Sequence, residues 1–319
     1  MKKGIAVAGS VLVDKINQIA AYPKAGELTQ IKTISRAVGG LVPNVGIDLK
    51  KIDESLTVYA CGKIGCDEEG EFVKAEFARY GLDMKGLLTD ANEKTSFTDV
   101  MSEIGGERTF FTYAGASALF GDNDVDFDRT DAFMLHLGYF LLLDKVDNGD
   151  GLKILKRAKE KGIKTSIDLV SENSDRYKQV LPCLPFVDNL IINEIEGGKL
   201  AEIEPKRENI RAICEKLKKL GVKERVIIHL PEFGACLSES GYIVVPSFDL
   251  PKGYIKGTTG AGDAFCAGSL YGIYKGYTDK EILEFGSMCA AVSLRAPDAV
   301  SGLISEQEIR EFCKDFKRR

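Results

Sequence analysis

The chain has 319 residues, 44% of them hydrophobic and 29% charged, with a formal net charge of −5. That composition excludes a disordered chain, a collagen-like repeat and a disulfide-stapled miniature, and it suffices for a sizeable core. The acidic balance argues against a general nucleic-acid binder, and the longest apolar run, residues 133–143, is interrupted by His136 and Gly138 and falls short of the roughly twenty residues a membrane-spanning helix needs.

Residues 4–13 read as a buried strand, Ile5-Ala6-Val7-Ala8 and then Gly9, too short and too soon followed by Asp14 to serve as a signal peptide. Residues 15–37 alternate in β fashion around Pro23 and Gly26. A helix is expected over 44–52, opened by Pro43, then a strand over 55–61. Residues 67–80 form a helix with acidic residues in the first turn and Gly81 at its end, both favourable to the helix termini. Residues 95–113 hold two β runs around Gly105-Gly106, the pattern of a hairpin. From there the chain alternates: strand 132–137, helix 149–161 stopped by Gly162, strand 163–169, helix 174–183, strand 189–192, helix 208–220, strand 225–230. Three helices near 262–275, 279–295 and 305–316 close it. Strands alternating with helices imply parallel βαβ units in one doubly wound sheet. The two β-rich interruptions pair either as a small lid sheet or as an edge extension of the main sheet; pattern alone does not choose.

The Lys- and Arg-rich stretches 153–164 and 206–225 carry apolar residues at helical spacing and read as solvated helix faces. The eight cysteines form no CxxC pair, as expected for buried thiols in a reducing cytoplasm. Only two histidines occur, His136 and His229, far apart in apolar runs, so no structural zinc cluster is expected.

Chemistry concentrates in Lys256-Gly257-Thr258-Thr259-Gly260-Ala261-Gly262-Asp263. Small residues leave the amides of Gly260, Ala261 and Gly262 unobstructed where a helix begins, which makes an anion site suited to phosphoryl oxygens. Asp263, in the same turn, is placed to accept a proton from an alcohol aimed at that phosphorus. No Gly-Lys-Ser/Thr follows, so this is not a Walker loop, and the glycine spacing is not that of a dinucleotide fold. Earlier, Gly39-Gly40 permits close backbone approach to a ligand, and Asn44 offers both donor and acceptor to hydroxyls.

Together these segments, in this order, resemble the two signatures of the ribokinase-like (PfkB) carbohydrate kinase family, and the likeness runs over essentially the whole chain. Gly9 and Asp14, then Gly62, Gly65, Asp67 and Gly70, then Arg108 and residues 113–117, and Asn193-x-x-Glu196 look like its successive elements. The resemblance implies a three-layer α/β/α domain with a central, mostly parallel sheet (residues 1–13, 37–93 and 119–319) and a small β-sheet lid (14–36 and 94–118). It implies ATP-dependent phosphorylation of a sugar hydroxyl. Asp263 would be the base and the Gly260, Ala261 and Gly262 amides the anion hole. Asp14, Gly39, Gly40 and Asn44 would bind the sugar. Asn193, Glu196, His229 and Gly234 would serve ATP, with Glu196 organising Mg²⁺ directly or through water. Two positions depart from the family. Gly257 replaces the Asp before Thr-Thr that helps build a monovalent-cation site, which leaves K⁺ use open. Pro231 stands where a nucleotide-contacting Gly is usual. The alternatives are a nucleoside kinase, with Phe97, Phe110 or Tyr113 stacking on a base unless they are lid core, and a non-catalytic sugar-binding regulator. The expected partners are a sugar and ATP, with no nucleic acid or membrane, and a homodimer could form through lid edges.

Overall fold

The computed structural model describes residues 3–103, 106–172 and 174–319; the expected turn at Gly105 falls partly outside them. The chain opens with β1 (Ile5–Ala8), β2 (Leu12–Ile19) and β3 (Ile31–Gly39), followed by α1 (Leu41–Ile52), β4 (Val58–Gly65), α2 (Glu68–Tyr80) and β5 (Asp83–Asp90). Next come β6 (Ser96–Glu103), β7 (Arg108–Tyr113), the short α3 (Gly115–Ala118), β8 (Met134–Phe140), α4 (Gly151–Glu160) and β9 (Lys164–Leu169). The second half adds β10 (Asn189–Asn193), α5 (Glu194–Ala201), α6 (Ile210–Lys219), β11 (Arg225–His229), β12 (Phe233–Ser238) and β13 (Gly241–Pro246). Then α7 (Ala261–Lys275), α8 (Asp279–Ser293) and α9 (Glu306–Cys313) follow without intervening strands.

Nine strands make one sheet in the order β13-β12-β11-β10-β9-β8-β1-β4-β5. It is parallel throughout except at one edge, where β11, β12 and β13 pair antiparallel. Alternation along the strands sorts the core onto two faces. Ile5, Val7, Ile191 and Ile227 join the layer of α1, α7 and α8, whereas Ala6, Ala8, Leu190, Ile192, Val226 and Ile228 join that of α4 and α6. The basic stretches are indeed helix faces: α4 buries Ile154, Leu155 and Ala158, and α6 buries Ile210, Ile213, Cys214 and Leu217. All eight cysteines are free thiols, and Cys66 alone of them is exposed. No helix among the described residues is long and apolar enough to cross a membrane.

The β-rich interruptions form a second sheet, not an edge of the first, in the order β3-β2-β6-β7. Its central pair, β2 and β6, runs parallel, and both outer pairs run antiparallel. The expected single strand over 4–13 is therefore two. Gly9, at φ +152°, ends β1 beside the Gly138 carbonyl, and the chain then enters β2 of the other sheet. The expected helix over 174–183 is instead two short 3₁₀ segments, Arg176–Gln179 and Leu181–Phe186. Pro182 and Pro185 lack the N–H donors an α-helix needs there. Nor are the aromatic residues of this sheet all core: Phe97 is half-buried against Tyr113, 5.4 Å between ring centroids, but Phe110 is 61% exposed.

Candidate active site

The polar residues that gather at one place stand at the carboxyl ends of neighbouring parallel strands: Tyr139 near the end of β8, Asp168 on β9, Asn193 on β10 and His229 on β11. That end of an open α/β sheet, near the point where strand order reverses between β1 and β8, is where such folds hold ligands. The amino end of α7 closes the space. A cleft of about 300 Å³ results, walled by these four residues with Glu196, Gly260, Gly262, Asp263 and Cys266. A larger, mostly apolar cleft of about 420 Å³ adjoins it and shares Asn193, His229 and Gly262; Phe248, Leu250, Phe265 and Leu294 line it, with Pro231 and Gly234 at one side.

Asp263 sits in the first turn of α7 and is buried. Its carboxylate accepts from Asn44 Nδ2 at 2.9 Å, and the Tyr139 hydroxyl donates to both its oxygens at 3.0 Å. Burial, and then the negative charge of Asp168, push its pKa up to about 7, while the two donors pull it down. Asn44 thus meets Asp263 directly, and its own Oδ1 is buried without a partner. At the helix mouth, Gly260 holds φ +79°, and a Cβ there would meet Ala299 at 2.5 Å. The amides of Gly260, Gly262 and Asp263 find no acceptor among the described residues, but that of Ala261 donates to the Thr258 carbonyl at 3.3 Å. The three-amide mouth expected from sequence is therefore only partly free, because the tight turn into the helix folds Ala261 back on Thr258.

Tyr139 and Asp168 are the members that sequence reasoning missed. Tyr139 adopts φ +57° and Leu141 φ +77°, a left-handed pair that non-glycine residues rarely take and that clusters at functional sites. The strain is held by the Tyr139 amide, which donates to Asp168 Oδ1 at 2.6 Å. The available signal was positional: an acidic residue next to the last position of a buried strand, where the sheet presents its ligand-binding end. Asp168 also faces His136 and Cys266, so three groups able to bind a metal do cluster, although the two histidines are far apart in sequence.

Asn193 and Glu196 form the capping box of α5. The Asn193 side chain accepts from the Glu196 amide at 2.9 Å, and the Glu196 carboxylate accepts from the Asn193 amide at 3.1 Å, from Asn193 Nδ2 at 2.8 Å and from Ser171 Oγ at 2.8 Å. Burial raises the Glu196 pKa to about 7. With its oxygens already receiving three donors, Glu196 suits a hydrated hard cation through water better than a direct bond. His229 stacks on Phe265, 4.9 Å between ring centroids, in the wall between the clefts, and burial lowers its pKa to about 4. The neutral ring therefore brings no positive charge to either cleft. Gly234 pairs with His229 across β11 and β12 and packs against Phe265. Asp14, Gly39 and Gly40 wall neither cleft. Asp14, its pKa raised to about 6 by burial, lies against Gly39, where a Cβ would come within 2.5 Å of its carboxylate. Gly40, at φ +88°, precedes α1, whose Leu41 amide donates to Ser10 Oγ.

The architecture is that of the ribokinase-type α/β enzymes: the solved Arabidopsis thaliana ribokinase, complexed with ribose and ATP, superposes with a TM-score of 0.82 over 98% of this chain and 99% of that one at 23% identity. The chain belongs to the pfkB family carbohydrate kinases, whose family model matches residues 2–306. Members are phosphotransferases that act on sugar hydroxyls. Among curated relatives, a ribokinase of Arabidopsis thaliana is 24% identical over 97% of this chain and 81% of its own length. Fructokinase-1 of Zea mays is 25% identical over 95% of both.

Proposed function

We propose that the protein transfers the γ-phosphoryl group of ATP to a hydroxyl of a sugar or sugar derivative. The observation that carries this is the placement of Asp263: a buried carboxylate held by Asn44 and Tyr139, in a helix mouth whose Gly260 and Gly262 amides are free, at the floor of a cleft that adjoins an apolar one. The apolar cleft suits the nucleotide base, and the polar one suits the phosphates. The acceptor oxygen attacks the γ-phosphorus, the bond from phosphorus to the bridging oxygen of ADP breaks, and the hydroxyl proton passes to Asp263. Amides of Gly260 and Gly262 stabilise the migrating group's oxygens, and Ala261 joins them when the anion displaces the Thr258 carbonyl. Asn44 orients the carboxylate and offers its unpartnered Oδ1 to the acceptor. The residues present fit Mg²⁺: Glu196, held by Asn193, would through water hold an ion that neutralises phosphate charge. Asp14, Gly39 and Gly40, which wall neither cleft, would meet the acceptor only when the four-stranded sheet closes over it as a lid that excludes water.

The position before Thr258 carries no carboxylate for a monovalent cation, and a Cβ at Gly257 would meet Pro297 and Ala296 at 2.9–3.0 Å. We therefore expect turnover indifferent to K⁺. ADP release over a panel of sugars, sugar acids, sugar phosphates and nucleosides, with and without K⁺, tests the reading. Turnover of a sugar that Asp263→Asn lowers by about 10²–10⁴ supports it. Preference for nucleosides would make this a nucleoside kinase, and sugar binding without ADP release would make it a regulator.

A further inference from the structure

Beneath the phosphate cleft lies a cluster that the transfer reaction does not use in full. His136 on β8 and Ser166 on β9 are register partners, and Ser166 Oγ lies 3.1 Å from His136 Nδ1. That leaves Nε2 aimed the other way. It lies 3.5 Å from Cys266 Sγ, on the second turn of α7, and 3.4 Å from Asp168 Oδ2. All three side chains are buried, their ligand atoms lie within 4.8 Å of one another, and Asp168 and Cys266 form part of the cleft wall.

From this geometry we propose that His136, Asp168 and Cys266 form a site for a thiophilic divalent ion of the Zn²⁺ class, entered from the phosphate cleft. A tetrahedral Zn²⁺, about 2.0–2.1 Å from nitrogen and oxygen and about 2.3 Å from sulfur, sets its ligand atoms about 3.3–3.6 Å apart. Two edges of the cluster already have that length. The donor set is nitrogen, oxygen and thiolate, which selects against Mg²⁺ and Ca²⁺. The contact from Nδ1 to Ser166 is the outer partner that ligating histidines usually have, since it fixes the ring and directs Nε2 to the metal. The other oxygen of Asp168 stays with the Tyr139 amide, so one carboxylate joins this site to the strained turn that holds Asp263. The fourth position faces the cleft, open to water or to a phosphate oxygen. Binding releases the Cys266 thiol proton to solvent, with no change of oxidation state.

Cd²⁺ is the probe, titrated into chelator-treated full-length protein and followed by the ultraviolet charge-transfer band of a cadmium–thiolate bond. The background variant is Cys66→Ser, which removes the exposed thiol. One equivalent should produce the band, a large molar excess of Mg²⁺ should leave it in place because that hard ion prefers oxygen ligands, and Cys266→Ser or His136→Gln should abolish it. A band that survives Cys266→Ser, or one that Mg²⁺ displaces, overturns the proposal. Co²⁺ gives a second readout without touching the cluster: intense tetrahedral visible bands with a single thiolate transition support the site, and a pale octahedral spectrum sinks it.

Discussion

Asp263 answers to three neighbours whose effects have opposite signs. Burial and Asp168 favour its neutral form, while Asn44 and Tyr139, by donating to the carboxylate, favour the ionised form. The base works deprotonated, so kcat/KM should rise with pH and level off above about 7. Tyr139→Phe removes one of the two donors, so the acid limb should move to higher pH while KM for the sugar changes little. A profile that falls uniformly without moving would assign Tyr139 to packing alone. The same carboxylate weakens the fold. Its folded pKa of about 7 lies above the ordinary 3.8, so between those values the folded protein keeps a proton that the unfolded chain has lost, and stability falls as pH rises through that window. Asp263→Asn cannot ionise and escapes that slope. We expect the nearly inactive amide variant to melt above the parent at pH 8, with the gap narrowing by pH 5 and closing only towards the unfolded value of 3.8; equal melting at both pH values would show that the carboxylate carries no such burden.

At the level of elements, what the sequence announces is what is contiguous. Gly260 through Asp263 form a helix mouth because three small residues and an acid occur together, and the α2 boundaries follow from Asp67 as cap and Gly81 at φ +70°. Gly39-Gly40 and Asn44 likewise sit in one run, although the helix begins at Leu41, three residues ahead of the start that Pro43 suggests. By contrast, Tyr139 and Asp168 lie 29 residues apart and 124 and 95 residues from Asp263, and only strand order brings them together. Hydrophobic periodicity also missed α5, whose eight residues include two glycines, and the antiparallel β12–β13 pair beyond the last parallel strand. In α5 one spacing serves two purposes. The separation of three residues between Asn193 and Glu196 satisfies the first helix amides and also points both side chains into the cleft. Asn193→Ala should lower stability by about 1 kcal/mol, the usual worth of such a cap. If the pair also organises Mg²⁺, the variant should need more Mg²⁺ for half-maximal ADP release. A shifted urea midpoint with an unchanged Mg²⁺ titration would confine the pair to capping.

The molecule as a whole is two sheets of unequal finish. The nine-stranded sheet has both faces covered, whereas the four-stranded one leaves every residue of its outer strand β7 exposed, along with Ile34 on the opposite edge strand β3, 74% exposed, and Leu28 just before it, 93% exposed. Apolar side chains held in water on a thin sheet are unfavourable unless something else covers them during the working cycle. Closure over a bound acceptor would do so, and it would keep water from competing for the phosphoryl group. Amide hydrogen exchange separates closure from pairing with a second copy. With a turned-over sugar and a non-hydrolysable ATP analogue, β2, β3 and β6 should become slower to exchange while the nine-stranded sheet changes only around Asp168, Asn193 and the start of α7. That protection should not depend on protein concentration. Protection of β3 and β7 that grows with concentration and needs no ligand would mean that the exposed edges meet another copy of the chain. Exchange in the small sheet that responds to neither ligand nor concentration would remove it from the catalytic cycle.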